Sequence, residues 1–173
     1  MADFNIAVDI TLDSAHEGGY QCNPNDRGNW TSGVIGEGEL KGTNHGISAM
    51  EFPTLDIRNL TVEQATDIYS HKYWNPLYVD ITDQFVANKL FDMGVLQGIG
   101  TAVKILQGVL APQFGISVDG GFGSKTLDAV NKAEPISLLV SYKTALVAHV
   151  IQIGAKNPAE RAFVGDYIRR INS

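Results

Sequence analysis

Residues 3–26 read DFNIAVDITLDSAHEGGYQCNPND, and the change of pattern inside this stretch decides the fold. Phe4, Ala7, Val8, Leu12 and Ala15 recur at helical spacing, with Asp3 placed as a cap and Asp9 and Asp13 off the apolar stripe. The spacing predicts an amphipathic first helix that stops at Gly18-Gly19, leaving His16 and Glu17 in its last turn. The next segment has no period: residues 18–48 hold 8 of the 18 glycines, together with Pro24 and the polar run Asn23-Pro-Asn-Asp26. Short apolar pieces such as Val34-Ile35 in this background predict loops and a small, irregular β-element.

Beyond residue 60 helical signals return. Thr61-Val-Glu-Gln64 is a capping box for a helix running to about Trp74, where Asn75-Pro76 stops it. Thr82 or Asp83 caps the next, whose Phe85, Val86, Leu90, Phe91 and Met93 make it apolar nearly all round and therefore central. Ile99, Ala102, Val103, Leu106, Val109 and Leu110 mark a third. The turn Val118-Asp-Gly-Gly-Phe-Gly123 leads to a short helix capped at Ser124, then one from about Ser137 to Gly154 and one opened by Asn157-Pro158 with Glu160 at the reciprocal position. The class is mainly α with a small β contribution (α+β): one helix, a Gly-rich β/loop lobe, then a helical body.

Composition bounds the rest. A chain of 173 residues, 44% hydrophobic and 18% charged, buries one sizeable core and is too apolar for a disordered one. The apolar residues form no unbroken run of spanning length, so no membrane insertion is expected. The net charge of −6 argues against nucleic acid as a partner. It is unevenly spread: residues 1–124 carry 6 basic and 15 acidic groups, residues 125–173 carry 7 and 4. Only the C-terminal quarter leans toward an anionic partner, and a solvated helix surface gives the same count. One cysteine, Cys22, excludes an intramolecular disulfide. No Lys or Arg precedes Arg27, so a secretory signal with a basic start is not expected and synthesis is expected in the cytoplasm.

Glu17 is the first candidate for chemistry. At a helix C-terminus its carboxylate meets the negative end of the dipole, and any apolar wall would desolvate it; both raise its pKa. A general acid working near neutral pH needs that shift. An exposed residue beside a C-cap is the plainer alternative.

Four motifs then occur in order: Glu17-Gly-Gly-Tyr20, Asn23-Pro-Asn-Asp26, Gly42-Thr-Asn-His-Gly-Ile-Ser48 and Lys72-Tyr-Trp-Asn-Pro-Leu77. Together they resemble the phage-type N-acetylmuramidases of glycoside hydrolase family 108, in which the Glu-Gly-Gly-Tyr stretch carries the catalytic glutamate. Leu106-Gln107, Asp119-Gly-Gly-Phe-Gly123 and Thr126 resemble the region these proteins label peptidoglycan-binding. The resemblance implies a lysozyme-like fold, a catalytic region over 1–88 and a helical peptidoglycan-binding-like region over 89–173. It implies cleavage of the β-1,4 bond between N-acetylmuramic acid and N-acetylglucosamine by a phage endolysin. Two features depart from the family pattern: Gly28 to Lys41 intervene between the Asp-rich loop and the Gly-Thr segment, and His45 and Ser48 stand where Tyr and Thr are common.

Glycosidic hydrolysis needs an acid at the leaving oxygen and a group opposite the sugar that stabilises charge or activates water. By motif Glu17 is the acid. Eight residues separate it from Asp26, an interval similar to that in phage lysozymes, where a threonine comes next; Thr43, in the matching Gly-Thr-Asn context, is the candidate for that threonine and for orienting the attacking water with Asp26, and Thr31 is its rival by raw spacing. Tyr20, Trp30, Tyr73, Trp74 and Tyr78 are candidate sugar platforms and His45 a further substrate-binding candidate; Trp30, in a Gly-rich loop, is the expected exposed platform, whereas adjacent helix residues diverge by about 100°, so core packing is expected for at least one of Tyr73 and Trp74. Asn44 and Asn75 suit N-acetyl or hydroxyl groups, and equally cap or turn roles.

Other chemistries find less support. His16, His45, His71 and His149 lack metal-ligand spacing, so neither a metal nor a cofactor is expected, and a Cys22–His thiol amidase has no local signature. The expected partners are peptidoglycan and a separate holin-like protein that lets a monomer reach the wall from the host cytoplasm. A lytic transglycosylase and a non-catalytic peptidoglycan-binding protein are the alternatives.

Overall fold

The computed structural model describes residues 1–14, 19–158 and 160–173. They divide into two compact units: Asp9–Lys72, and Met1–Val8 with Tyr73–Ser173. Among the described residues there are seven α-helices and one two-stranded sheet, the mainly helical, lysozyme-like α+β class that the pattern predicts. The first helix, α1, spans Phe4–Ser14, and its predicted end at Gly18 lies outside the described residues.

In the unit Asp9–Lys72 the sheet is minimal. Strands β1 (Thr43–Asn44) and β2 (Ile47–Ser48) pair antiparallel with Thr43 opposite Ser48 and Asn44 opposite Ile47. His45 and Gly46 form the two-residue turn, both at positive φ (50° and 74°), the type I′ geometry that matches strand twist. A side chain at Gly46 would collide with the hydroxyl of buried Tyr69, which donates to the His45 carbonyl at 3.0 Å. Helix α2 (Val62–Tyr73) opens on the predicted capping box: the Gln64 amide N–H donates to Thr61 Oγ1 (3.2 Å) and the Thr61 N–H to Gln64 Oε1 (3.0 Å).

The other unit is built around α3 (Gln84–Gln97), in which Val86 through Gly94 are buried without a break. Asp83 caps it by accepting from the Val86 N–H at 2.9 Å. Helices α4 (Ile99–Phe114) and α6 (Pro135–Lys156) pack on α3, and α5 (Ser124–Lys132) and α7 (Val164–Asn172) close the bundle against α4 and α6. At one end Phe4, Trp74, Tyr78, Phe91 and Phe122 meet edge to face, with ring centroids 4.8–5.7 Å apart. Asp92 is buried and takes two hydrogen bonds from Arg170 of α7 (2.8 and 2.9 Å); buried Lys89 lies 3.6 Å away and donates to the Arg170 carbonyl. Desolvation lowers the Lys89 pKa, and the facing Asp92 opposes that shift.

Three helix starts differ from the predicted ones. At α5 the cap is Gly123, which has no side chain to bond, and Ser124 is the first helical residue. Helix α6 begins at Pro135 rather than Ser137, because Glu134 caps it: its carboxylate accepts from the Ile136 and Ser137 N–H groups (3.1 and 2.7 Å), which holds its pKa below the usual range. Asn157-Pro158 opens no helix; Arg161–Phe163 forms a 3-10 turn, α7 starts at Val164, and Glu160 accepts from the Tyr167 hydroxyl. By length and composition α6 is the one described helix apolar enough to cross a bilayer, although Ser137, Ser141, Lys143, Thr144 and His149 interrupt its apolar run. One stripe of it, Leu138, Tyr142, Leu146, Val150 and Gly154, is buried in the bundle.

Leu90 is wholly buried whereas Phe85, in the same helix, is 69% exposed. Leu90→Ala should cost about 3 kcal/mol from lost transfer energy and the cavity left, and Phe85→Ala under about 0.5 kcal/mol. Chemical denaturation followed by helical circular dichroism separates the two.

Candidate active site

In the unit Asp9–Lys72 the chain doubles back on itself at Asn29. Asp26 caps a 3-10 turn, Arg27–Asn29, by accepting from the Gly28 N–H at 2.9 Å. Asn29 is completely buried. Its carbonyl accepts from the Lys41 and Gly42 N–H groups (3.0 and 3.1 Å), which closes the base of the excursion that separates Asp26 from Thr43 in sequence. Within that excursion Trp30 bridges Leu40, the Thr31 N–H donates to the Glu39 carbonyl (2.9 Å), and the Glu39 N–H donates to Thr31 Oγ1 (2.9 Å). Residues 28–41 are therefore looped out, and Thr43 returns beside the segment that carries Asp26.

The side chains complete the link. Thr43 Oγ1 donates to Asn29 Oδ1 (2.7 Å), and Asn29 Nδ2 donates to Gln21 Oε1 (2.8 Å) and the Asn23 carbonyl (3.0 Å). Gln21 Nε2 donates to Asn29 Oδ1 (3.1 Å) and Asp26 Oδ2 (3.2 Å). Gln21 and Thr43 also exchange two backbone hydrogen bonds, at 2.8 and 2.9 Å. Gly42 fits there because any side chain would strike the Gln21 carbonyl and the Tyr20 ring. Asp26 and Thr43 thus belong to one polar network, through Gln21 and Asn29. Neither intermediary is a candidate from sequence: both resemble ordinary turn residues, and their one signal is a position between motifs.

The remaining candidates fall into separate places. The Thr31 hydroxyl holds the neck of the excursion. Tyr20 is half-buried, with the Arg58 guanidinium 5.3 Å from its ring centroid. Its phenol pKa is raised, first by its hydrogen bond with Cys22 and then by desolvation, with Arg58 acting in the opposite sense. Trp30 is half-buried and its indole N–H donates to the Pro24 carbonyl (2.9 Å). Asn44 is buried and its amide donates to the carbonyls of Ile57, Arg58 and Leu60 (3.1–3.3 Å), which fixes the loop before α2. His45 occupies the β1–β2 turn. In the other unit Tyr73 is buried, Trp74 lies in the aromatic cluster, and Asn75 caps a 3-10 turn by accepting from the Leu77 N–H (2.9 Å). Glu17, the motif's acid, lies outside the described residues, as does His16. Among the described residues no three His, Cys, Asp or Glu side chains gather as a metal site would require.

Comparison with known proteins assigns the class. Glycosyl hydrolase 108 matches residues 11–98, just over half of the chain, and the Predicted Peptidoglycan domain matches residues 101–172. The chain belongs to glycosyl hydrolase family 108: it is a muramidase-type glycoside hydrolase that acts on peptidoglycan. Among solved structures it is similar to that of Brucella abortus SagA, with a TM-score of 0.70 and 27% identity over 98% of this chain and 91% of the other. No curated protein matches it.

Asn29 holds both sides of the network, so Asn29→Leu leaves the Thr43 hydroxyl and the Gln21 amide without their partners. The expected cost is about 2–3 kcal/mol, with a loss of peptidoglycan hydrolysis that persists at temperatures where the variant is still folded. Thermal melts run beside turbidity assays test both parts.

Proposed function

We propose that the chain cleaves the β-1,4 bond between N-acetylmuramic acid and N-acetylglucosamine, with Glu17 as general acid and Asp26 and Thr43 placing the attacking water. The observation that carries this reading is the network joining Asp26 to Thr43, which begins at Gln21, four residues after the glutamate of the Glu-Gly-Gly-Tyr motif. Thr43 spends its hydroxyl proton on Asn29, so its oxygen lone pairs remain to accept a proton from water. Asp26 is exposed, and its carboxylate, which accepts from Gly28 and Gln21, keeps lone pairs free to take the second water proton. A water held by both protons presents its lone pair for attack while Glu17 protonates the departing oxygen.

Mass spectrometry of digested sacculi tests the reading. Wild type should release fragments ending in reducing N-acetylmuramic acid; anhydro ends, lighter by one water, would identify a transglycosylase instead. Glu17→Gln should lower kcat by about 10³-fold, within the range for loss of a general acid, and Asp26→Asn or Thr43→Val by a smaller factor. Cys22→Ala should keep full activity; its loss would point to thiol chemistry.

The resemblance to phage-type enzymes supports a cellular role as an endolysin, acting as a monomer that reaches the wall through a separate holin-like protein. Cells making the protein alone should grow, and should lyse when a membrane-permeabilising protein is co-expressed. Lysis without it would overturn that route.

A further inference from the structure

Beside Tyr20 the unit Asp9–Lys72 carries an open groove of about 370 Å³ that the Asp26–Thr43 network does not line. Its walls include Tyr20, Leu40, Lys41, Leu55, Asp56 and Arg58. The charged members differ in what they already hold. Lys41 Nζ donates to the Pro53 carbonyl (2.7 Å) and pairs with Glu39 (3.3 Å), so its charge is committed to the loop. Asp56 accepts from the Asn59 backbone (3.4 Å) and side chain (2.9 Å). The Arg58 guanidinium rests on the face of Tyr20 and, among the described residues, donates to no carboxylate or carbonyl. A guanidinium drawn over an aromatic face by a cation–π contact keeps its N–H donors available, and those donors can bind a carboxylate through two parallel hydrogen bonds.

We infer that this groove is a subsite for the peptide stem of peptidoglycan, in which Arg58 binds a stem carboxylate while Tyr20 packs against the neighbouring apolar surface. The inference rests on the muramidase reading. The glycan beside the scissile bond is uncharged apart from its substituents, so a fixed guanidinium in the same loop system has its complement in the stem carried by the muramoyl residue. The Asp56 carboxylate on the same groove disfavours a ligand of purely negative charge such as phosphate, and suits an amino-acid end that carries an ammonium beside its carboxylate. Arg58 is therefore a specificity residue for stem-bearing over bare glycan.

The test compares kcat/KM on peptidoglycan with intact stems and on the same glycan stripped of stems by an amidase. Wild type should prefer the stem-bearing substrate. Arg58→Gln should reduce that preference about tenfold through KM, and Arg58→Lys should retain part of it. Free stem peptide should inhibit wild type and, at the same concentration, fail to inhibit Arg58→Gln, a readout that a general loss of stability would not produce. A wild type indifferent to stems, or an Arg58→Gln that slows both substrates alike, would overturn the subsite and leave the muramidase reading standing. If wild type releases no reducing N-acetylmuramic acid from either substrate, the muramidase reading fails and the subsite falls with it.

Discussion

The loop-rich unit Asp9–Lys72 depends on one buried amide. Asn29 is fully enclosed, and an enclosed amide must have its donors and acceptors met. It meets them with groups far apart in sequence: the Gln21 side chain and Asn23 carbonyl on one side, the Thr43 hydroxyl on the other, and the Lys41 and Gly42 N–H groups on its own carbonyl. Regular secondary structure contributes little here, since the sheet amounts to two residues per strand. A hydrocarbon at position 29 would satisfy none of these groups, and a carboxylate would supply no donor to Gln21 or Asn23. The amide, which donates and accepts at one point, is the group that fits.

The helical unit repeats the device. Gln107 of α4 is buried, and its Nε2 donates to Asp119 Oδ1, the Gly121 carbonyl and Thr126 Oγ1 at 2.9–3.1 Å while its Oε1 accepts from the Asp119 and Gly120 N–H groups at 3.0 and 2.8 Å. The Asp119 carboxyl is held below its usual pKa, chiefly by Gln107 and then by the Gly121 N–H. One amide thereby sets the path of the Gly-rich turn that leads into α5. In both units a glycine-rich segment lacks the side chains to pack itself, so a single buried amide supplies the order.

Where a signal was local, the sequence was legible. The capping box at Thr61 and Gln64 and the cap at Asp83 each lie within three residues of their partners, and both helices start where those residues place them. The apolar residues Phe85, Val86, Leu90, Phe91 and Met93, spread nearly all round the helix, identify it as central. Starts were missed where the cap was atypical: Glu134 does the work usually given to Ser, Thr, Asp or Asn, and Gly123 caps with no side chain at all. The site was legible only in part for a related reason. Asp26 and Thr43 belong to motifs, whereas Gln21 and Asn29 act through bonds that span 8 and 14 residues, and no spacing rule reaches that far. Between the two threonines, the Gly-Thr-Asn context favours Thr43 and raw spacing favours Thr31, and it is Thr43 that the excursion delivers to Asn29.

An acidic chain acts here on a wall whose stems carry carboxylates. Net charge decides little, because at physiological ionic strength the interaction between exposed charges is screened beyond about 8 Å. What matters is which charges stand within that distance of the bound polymer. The basic excess of residues 125–173 lies on elements of the part matched as a peptidoglycan domain, where exposed Lys125 and Lys132 border a second groove with Asp128 opposing them. In the other unit four acidic groups are engaged locally: Asp26 with Gly28 and Gln21, Glu39 with Lys41, Glu51 with Lys72, Asp56 with Asn59. Each such pairing weakens the field an approaching carboxylate would meet, so a single guanidinium placed over the Tyr20 ring can dominate its surroundings. The unit's acidity and its affinity for an anionic polymer are compatible because both are set at the scale of one side chain.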